Sequence, residues 1–185
     1  MKILLASNSP RRKELLSSLG YEFDVVKIDC NEVYPQNLKV EEIAAYLSEL
    51  KSGAFENLAK DEVLITADTI VAFGNEVLGK PKNKEEGKAM LQKLSGKTHQ
   101  VYTGITLRNS EKMISKTDVS SVEIDHLTEE EINFYLENYR PFDKAGSSGI
   151  QEWFGMAKVK NISGSFYSIM GLPTHLIYSL LKDFQ

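Results

Sequence analysis

The chain reads as an α/β protein with a mixed β-sheet. Apolar strand runs alternate with helical segments that carry capping residues, two long alternating segments lie back to back as a hairpin, and 185 residues of ordinary apolar content supply a core without disulfides. Residues 3–6 form a short buried strand. Pro10 then occupies the first turn of a helix that runs to Leu19 and is stopped by Gly20. A second helix is predicted over 40–58, with Ile43, Ala44, Leu47, Leu50, Ala54 and Leu58 on one face. Residues 63–67 form a strand, continued by 70–73 toward a Gly74-Asn75 turn and a return strand through Leu78.

Asn83 caps a helix running to Leu94, with Glu86 placed three residues on as its reciprocal partner. Residues 99–108 and 113–124 pair as a hairpin through Asn109-Ser110. Thr128 with Glu131 repeats the capping pattern for a helix ending near Asn138, and residues 173–184 form a last amphipathic helix. Hairpins among crossover helices make the sheet mixed, not purely parallel.

Composition narrows the function. Hydrophobic residues make up 42% and charged residues 26%, as in ordinary globular proteins. A net charge of −4 argues against a protein that coats nucleic acid through a basic surface, yet a few local cations would serve a phosphate site. Cys30 is the single cysteine, so neither an intrachain disulfide nor a multi-cysteine metal site can form. The apolar start at 3–6 is short, and Arg11-Arg12-Lys13 follows it, the wrong order for a secretory signal. No run approaches the ~18 apolar residues of a membrane span. The expectation is one domain over 1–185, cytoplasmic, without a membrane or nucleic-acid partner.

Five segments carry candidate chemistry. Ser7-Asn8-Ser9-Pro10-Arg11-Arg12-Lys13-Glu14 sits between a strand and a helix, where unpaired N–H groups suit an anion. The bland alternative is Ser9 as a helix cap with solvated arginines, although arginine in a first turn opposes the helix dipole. Thr66-Ala67-Asp68-Thr69-Ile70-Val71 sets an acid inside an apolar β-run, as a general base or a magnesium ligand would be held. A bulge or turn with Asp68 bonded to backbone is the structural alternative. Leu78-Gly79-Lys80-Pro81 offers a close backbone approach and a point charge, or merely a common turn. Lys51 edges the apolar stripe of its helix, reaching either an anion or water. Asp143-Lys144-Ala145-Gly146-Ser147-Ser148-Gly149-Ile150-Gln151 is a close-approach loop ending in an amide, or a flexible one. His99, His126 and His175 are scattered without ligand spacing and read as structural or surface residues.

Together these segments resemble the Maf family of nucleoside triphosphate pyrophosphatases, the septum-formation-inhibitor-like proteins. The matching stretches are SNSPRRKELL at 7–16, KIDCNE at 27–32, ELKSGA at 49–54, ADTIV at 67–71, LGKP at 78–81, HQVYTG at 99–104, DKAGSSGIQ at 143–151 and GSFYSIMGLP at 164–173. The resemblance implies an elongated α/β fold with a cleft between two lobes, similar to the inosine triphosphatase (Maf/Ham1) fold. It further implies hydrolysis between the α and β phosphates with a divalent cation, Mg2+ or Mn2+. Asp68 matches the family's proton acceptor, with Glu32 an acid near the metal that Asp68 would share. Ser9, Arg12, Lys51 and Lys80 match its phosphate-side residues, while Arg12, Thr69 and Gln151 fall at specificity positions.

The Ala67-Asp68-Thr69 form resembles the dTTP/UTP branch; the 7-methyl-GTP branch usually has glutamine after the aspartate. Asn31 stands where an aspartate is common, and Ser148 where a tyrosine is common. The expected partner is a nucleoside triphosphate, and self-association as a homodimer is left open. A purine-directed pyrophosphatase and a non-catalytic nucleotide-binding regulator are the alternatives.

Overall fold

A computed structural model describes residues 1–184. Its elements run β1 (Lys2–Leu5), α1 (Pro10–Ser18), β2 (Asp24–Val25), α2 (Val40–Gly53), β3 (Glu62–Phe73), β4 (Glu76–Leu78), α3 (Lys84–Leu94), β5 (Thr98–Arg108), β6 (Met113–Ile124) and α4 (Glu129–Tyr139). A 3-10 turn (Ala145–Ser147), α5 (Trp153–Lys158), β7 (Val159–Ser163), α6 (Phe166–Met170), α7 (Thr174–Leu181) and a second 3-10 turn (Lys182–Phe184) follow.

Seven strands form a mixed sheet in the order β2-β1-β3-β5-β6-β7, with β4 paired to β3. β1 is parallel to β2 and to β3, whereas β3–β4 and β6–β7 are antiparallel. The mixed α/β class is therefore as expected. By compactness the chain divides into two units: residues 1–69, 103–118 and 171 onward, and residues 70–102 with 119–170.

In the first unit, α2 ends at Gly53 and not near Leu58. Leu58 and Phe55 leave the helix to pack on Leu4, Ala6 and Leu64, a small cluster under β1 and β3. β3 runs unbroken through Asp68, so 70–73 continues the 63–67 strand as expected. In the second unit, the core gathers around Leu91, Leu94, Ile124, Ile132, Tyr135 and Phe154, all at most 2% exposed. The capping pattern of α4 is present in full: Thr128 Oγ1 accepts from the Glu131 amide, and the Thr128 amide donates to Glu131. At α3 only half of the expected box forms. Asn83 accepts from the Glu86 amide, while the Glu86 carboxylate takes the Lys82 amide instead of the Asn83 one. Among the described residues, no helix is long and apolar enough to cross a membrane.

Candidate functional site

The first unit carries six of the eight predicted site residues: Ser9, Arg12, Glu32, Lys51, Asp68 and Thr69. α1 begins directly after β1, with Pro10 at its first turn, and Ser9 has the extended backbone of an N-cap. Yet the Ser9 side chain makes no capping bond, and the first turn contains no acid. The structural alternative of Ser9 as a cap is thus not what the helix uses. What remains is a helix start whose first turn carries Arg11 and Arg12, so side-chain cations add to the positive end of the helix dipole.

Arg12 is held from two sides. Its Nε donates to the Gly171 carbonyl at 2.7 Å, and Nη2 donates to Thr69 Oγ1 at 3.2 Å. Thr69 in turn shares a hydroxyl bond of 3.0 Å with Thr103 on β5. Gly171 adopts φ +116°, a conformation that favours glycine and aims its carbonyl at the guanidinium. Burial lowers the Arg12 pKa from its ordinary value; the charges of Asp68 and Glu32 oppose that fall and Arg11 adds to it. Arg12 therefore sits in the field of both carboxylates.

Asp68 lies within the continuous strand β3, 9% exposed, between Ala67 and Thr69 and not in a turn. Its partner comes from α2: Lys51 Nζ is 2.5 Å from Asp68 Oδ1 and 3.2 Å from Glu32 Oε2. Lys51 does not snorkel to water, since its side chain is 14% exposed. One ammonium thus serves two carboxylates. Among the described residues, no group of three or more His, Cys, Asp or Glu side chains could hold a metal alone. Two carboxylates are nonetheless what Mg2+ usually takes from a protein when phosphate oxygens and waters complete its shell. Glu32 and Asp68 fit an ion that arrives with a phosphate ligand.

The second unit carries Lys80 and Gln151. Lys80 is exposed just beyond β4, and its loop is tied down where Gly79 O accepts from the Gly146 amide at 3.0 Å. Gly146 needs its φ of +67°, and a Cβ there would meet Val71 Cγ1 at 2.9 Å. Gln151 is exposed at the end of the same loop. That loop is anchored by groups that sequence reasoning missed. Tyr135 on α4 accepts from the Gly149 amide at 2.9 Å and donates to Glu152 Oε2 at 2.8 Å, while Lys144 pairs with Glu152 Oε1 at 2.9 Å. Burial first, then the Glu152 bond and charge, push the Tyr135 hydroxyl pKa upward, so it remains a donor. The one signal available was an aromatic hydroxyl on the apolar stripe of a helix, which needs a partner wherever it is buried.

His99 is buried on β5, with no partner for Nδ1. His126 and His175 lie at the surface, as expected. Cys30 is a free, half-buried thiol.

The sequence profile of the family described as "Maf-like protein" matches residues 2–184. A "dTTP/UTP pyrophosphatase" of Bacteroides thetaiotaomicron is 51% identical over 183 residues, spanning 98% of this chain and 95% of the relative. One of the same name from Porphyromonas gingivalis is 47% identical, spanning 99% and 94%. Among solved structures, the Staphylococcus aureus Ham1 protein superposes with a TM-score of 0.55 over all of both chains at 14% identity, a likeness of fold alone. The chain belongs to the Maf family.

Proposed function

We propose that this Maf-family chain is a nucleoside triphosphate pyrophosphatase that hydrolyses dTTP and UTP to the monophosphate and pyrophosphate, with Asp68 as proton acceptor. The observation that carries the reading is the Asp68–Lys51 contact of 2.5 Å on an unbroken buried strand. An acid built into a core strand and matched by a lysine from a neighbouring helix is a rigid base beside a cation. The names of the relatives, dTTP/UTP pyrophosphatases at 51% and 47% identity, supply the substrate class.

Water adds to phosphorus as the bridging P–O bond between the α and β phosphates breaks. The water proton passes to the Asp68 carboxylate, and pyrophosphate leaves with the bridging oxygen. Little covalent work is asked of the protein; alignment and charge neutralisation carry the rate. Ser9, Arg12 and the N-terminal end of α1 receive phosphate oxygens, and Lys51 and Lys80 add point charges. A divalent cation, Mg2+ or Mn2+, held by Glu32 and Asp68 would supply further neutralisation on those oxygens. Undiminished turnover in excess chelator would exclude this metal-assisted form.

Selectivity follows from donor–acceptor matching. A uracil or thymine edge presents an N3–H donor between two carbonyl acceptors, which the amide of Gln151 can answer, and Thr69 adds a hydroxyl. Thr69 is already oriented by Arg12 and Thr103. A buried polar group left unpaired by the wrong base costs about 1–3 kcal/mol, so discrimination of about ten- to hundredfold is expected. Pyrophosphate release measured as kcat/KM for UTP, dTTP, CTP, ATP, GTP and 7-methyl-GTP tests this. UTP and dTTP should lead, and a leading purine would overturn the branch while leaving the enzyme class standing.

A further inference from the structure

Within the first unit, α2 lies along β5 in a register set by three polar or close-approach rungs. Gly104, Thr106 and Arg108 alternate on β5 and so share one face; Ala44, Ser48 and Ser52 recur every four residues on α2 and so share one stripe. At the first rung a Cβ on Gly104 would collide with the backbone of Ala44 and Ala45, so helix and strand meet backbone to backbone. At the second, Ser48 Oγ and Thr106 Oγ1 are 2.7 Å apart. At the third, Arg108 donates to Ser52 Oγ at 3.1 Å, to Ser52 O at 2.7 Å and to Phe55 O at 2.7 Å. Two strand residues advance about 6.6 Å and four helical residues about 6.0 Å, so the rungs match along their length.

β3, the neighbour of β5 in the sheet, meets the same helix at the same residue, Ser48. Thr66 Oγ1 donates to Ser48 O at 2.6 Å, and two residues on, along the same strand face, Asp68 meets Lys51. The third rung closes the end of α2 that carries Lys51. Carbonyls there lack helical partners, and a cation complements the helix C-terminus. A guanidinium serves three acceptors in one plane, which an ammonium cannot.

We propose that Arg108 is a positioning residue that sets the reach of Lys51 to Asp68 by locking the end of α2. The proposal rests on the reading of Lys51 and Asp68 given under the proposed function. Its reason is geometric. Lys51 contacts Asp68 at the end of a flexible four-carbon stem, and the adjacent residue, Ser52, is the one Arg108 grips through both its hydroxyl and its carbonyl. A displacement of about 1 Å in such a pair can cost up to about a hundredfold in rate.

Two readouts test it. The Lys51 ammonium gives a 15N–1H signal when it is held in an ion pair, and Lys51→Met identifies that signal by its loss. Arg108→Gln should shift or abolish it while leaving the signals of other paired lysines in place; an unchanged Lys51 signal overturns the proposal. In kinetics, Arg108→Gln should lower kcat for UTP about tenfold with little change in KM, yet by less than about twofold in a Lys51→Met background, because the two residues act as one unit. Equal losses in both backgrounds overturn it as well. Arg108→Lys keeps charge and stem but not the fork; it should lose an intermediate factor, about threefold, and stands in if the glutamine variant fails to fold. A wild-type protein that hydrolyses no triphosphate would sink the functional reading, and the ammonium signal would still decide the role of Arg108.

Discussion

The two units treat their buried polar atoms differently. In the first, hydroxyls and charges are closed into pairs: Ser48 with Thr106, Thr66 with the Ser48 carbonyl, Lys51 with Asp68, and Arg12 with Gly171 and Thr69. In the second, a network around Tyr135 anchors the loop that bears Gln151, and Ser120 exchanges hydrogen bonds with the Ser165 backbone. Among the described residues, the two buried side-chain atoms without a hydrogen-bond partner, His99 Nδ1 and Ser147 Oγ, both belong to the second unit. An unpaired buried polar atom costs about 1–3 kcal/mol, whereas a closed network rigidifies what it touches. Pairing has been concentrated where charges must be held at fixed distance, and the unit that carries loops tolerates the orphans.

The sharpest way to break that contrast is to remove its central acid. Asp68→Asn keeps shape and leaves Lys51 with Glu32, so the fold should persist while kcat falls at least about 10²–10⁴-fold. Near-wild-type turnover by a folded variant would sink the mechanism and with it the claim that the paired unit is the chemical one. The second test uses an orphan. Burial lowers the pKa of His99 to about 4. The unfolded chain takes up that proton near pH of about 6.5, so between the two values the unfolded state binds more protons than the folded one. Stability is full above that range and should fall as the pH drops toward 4, by on the order of 3 kcal/mol. Urea unfolding across this window should show the slope, and His99→Leu should flatten it. An unchanged slope would mean that His99 is not the titrating group.

Two smaller effects sharpen the comparison further. Lys51→Ala removes a cation bonded to Asp68 and should reduce kcat/KM about tenfold or more. Wild-type kinetics would show that the ion pair is only structural. Tyr135→Phe removes the network around the loop, leaving the Gly149 amide and Glu152 without the hydroxyl. A stability loss of about 1–2 kcal/mol is expected, with a few-fold drop in the UTP-over-GTP ratio through Gln151. If stability falls and the ratio holds, the loop anchor does not govern base selection.

Sequence patterns disclosed what is local. The Thr128–Glu131 box, the hairpin of β5 and β6, and an acid set among β-branched residues each depend on neighbours in the chain, and each stands where it was expected. Partners were hidden wherever they are distant. Nothing in the spacing of Lys51 and Asp68 shows that a helix lays one on the other, and Arg108 lies 56 residues from the Ser52 it grips. The end of α2 was misplaced for the same reason. Apolar periodicity continues to Leu58, but Gly53 and the carbonyls taken by Arg108 stop the helix, and Leu58 finds its cluster from a loop. β2, with two residues, and the short elements of 153–170 are too brief for any period to register.

The carbonyl of Gly171 that orients Arg12 also sets a timetable. The two residues are 159 positions apart, so a ribosome adding about 5–20 residues per second delivers the acceptor about 10–30 s after the arginine. Lys51 and Asp68 emerge early in that interval, and their helix and strands can assemble as soon as β5 follows. A nascent chain stopped before Gly171 would carry the acid, its lysine and an arginine held by Thr69 alone, so the second hold on the guanidinium is among the last parts of the protein to mature during translation.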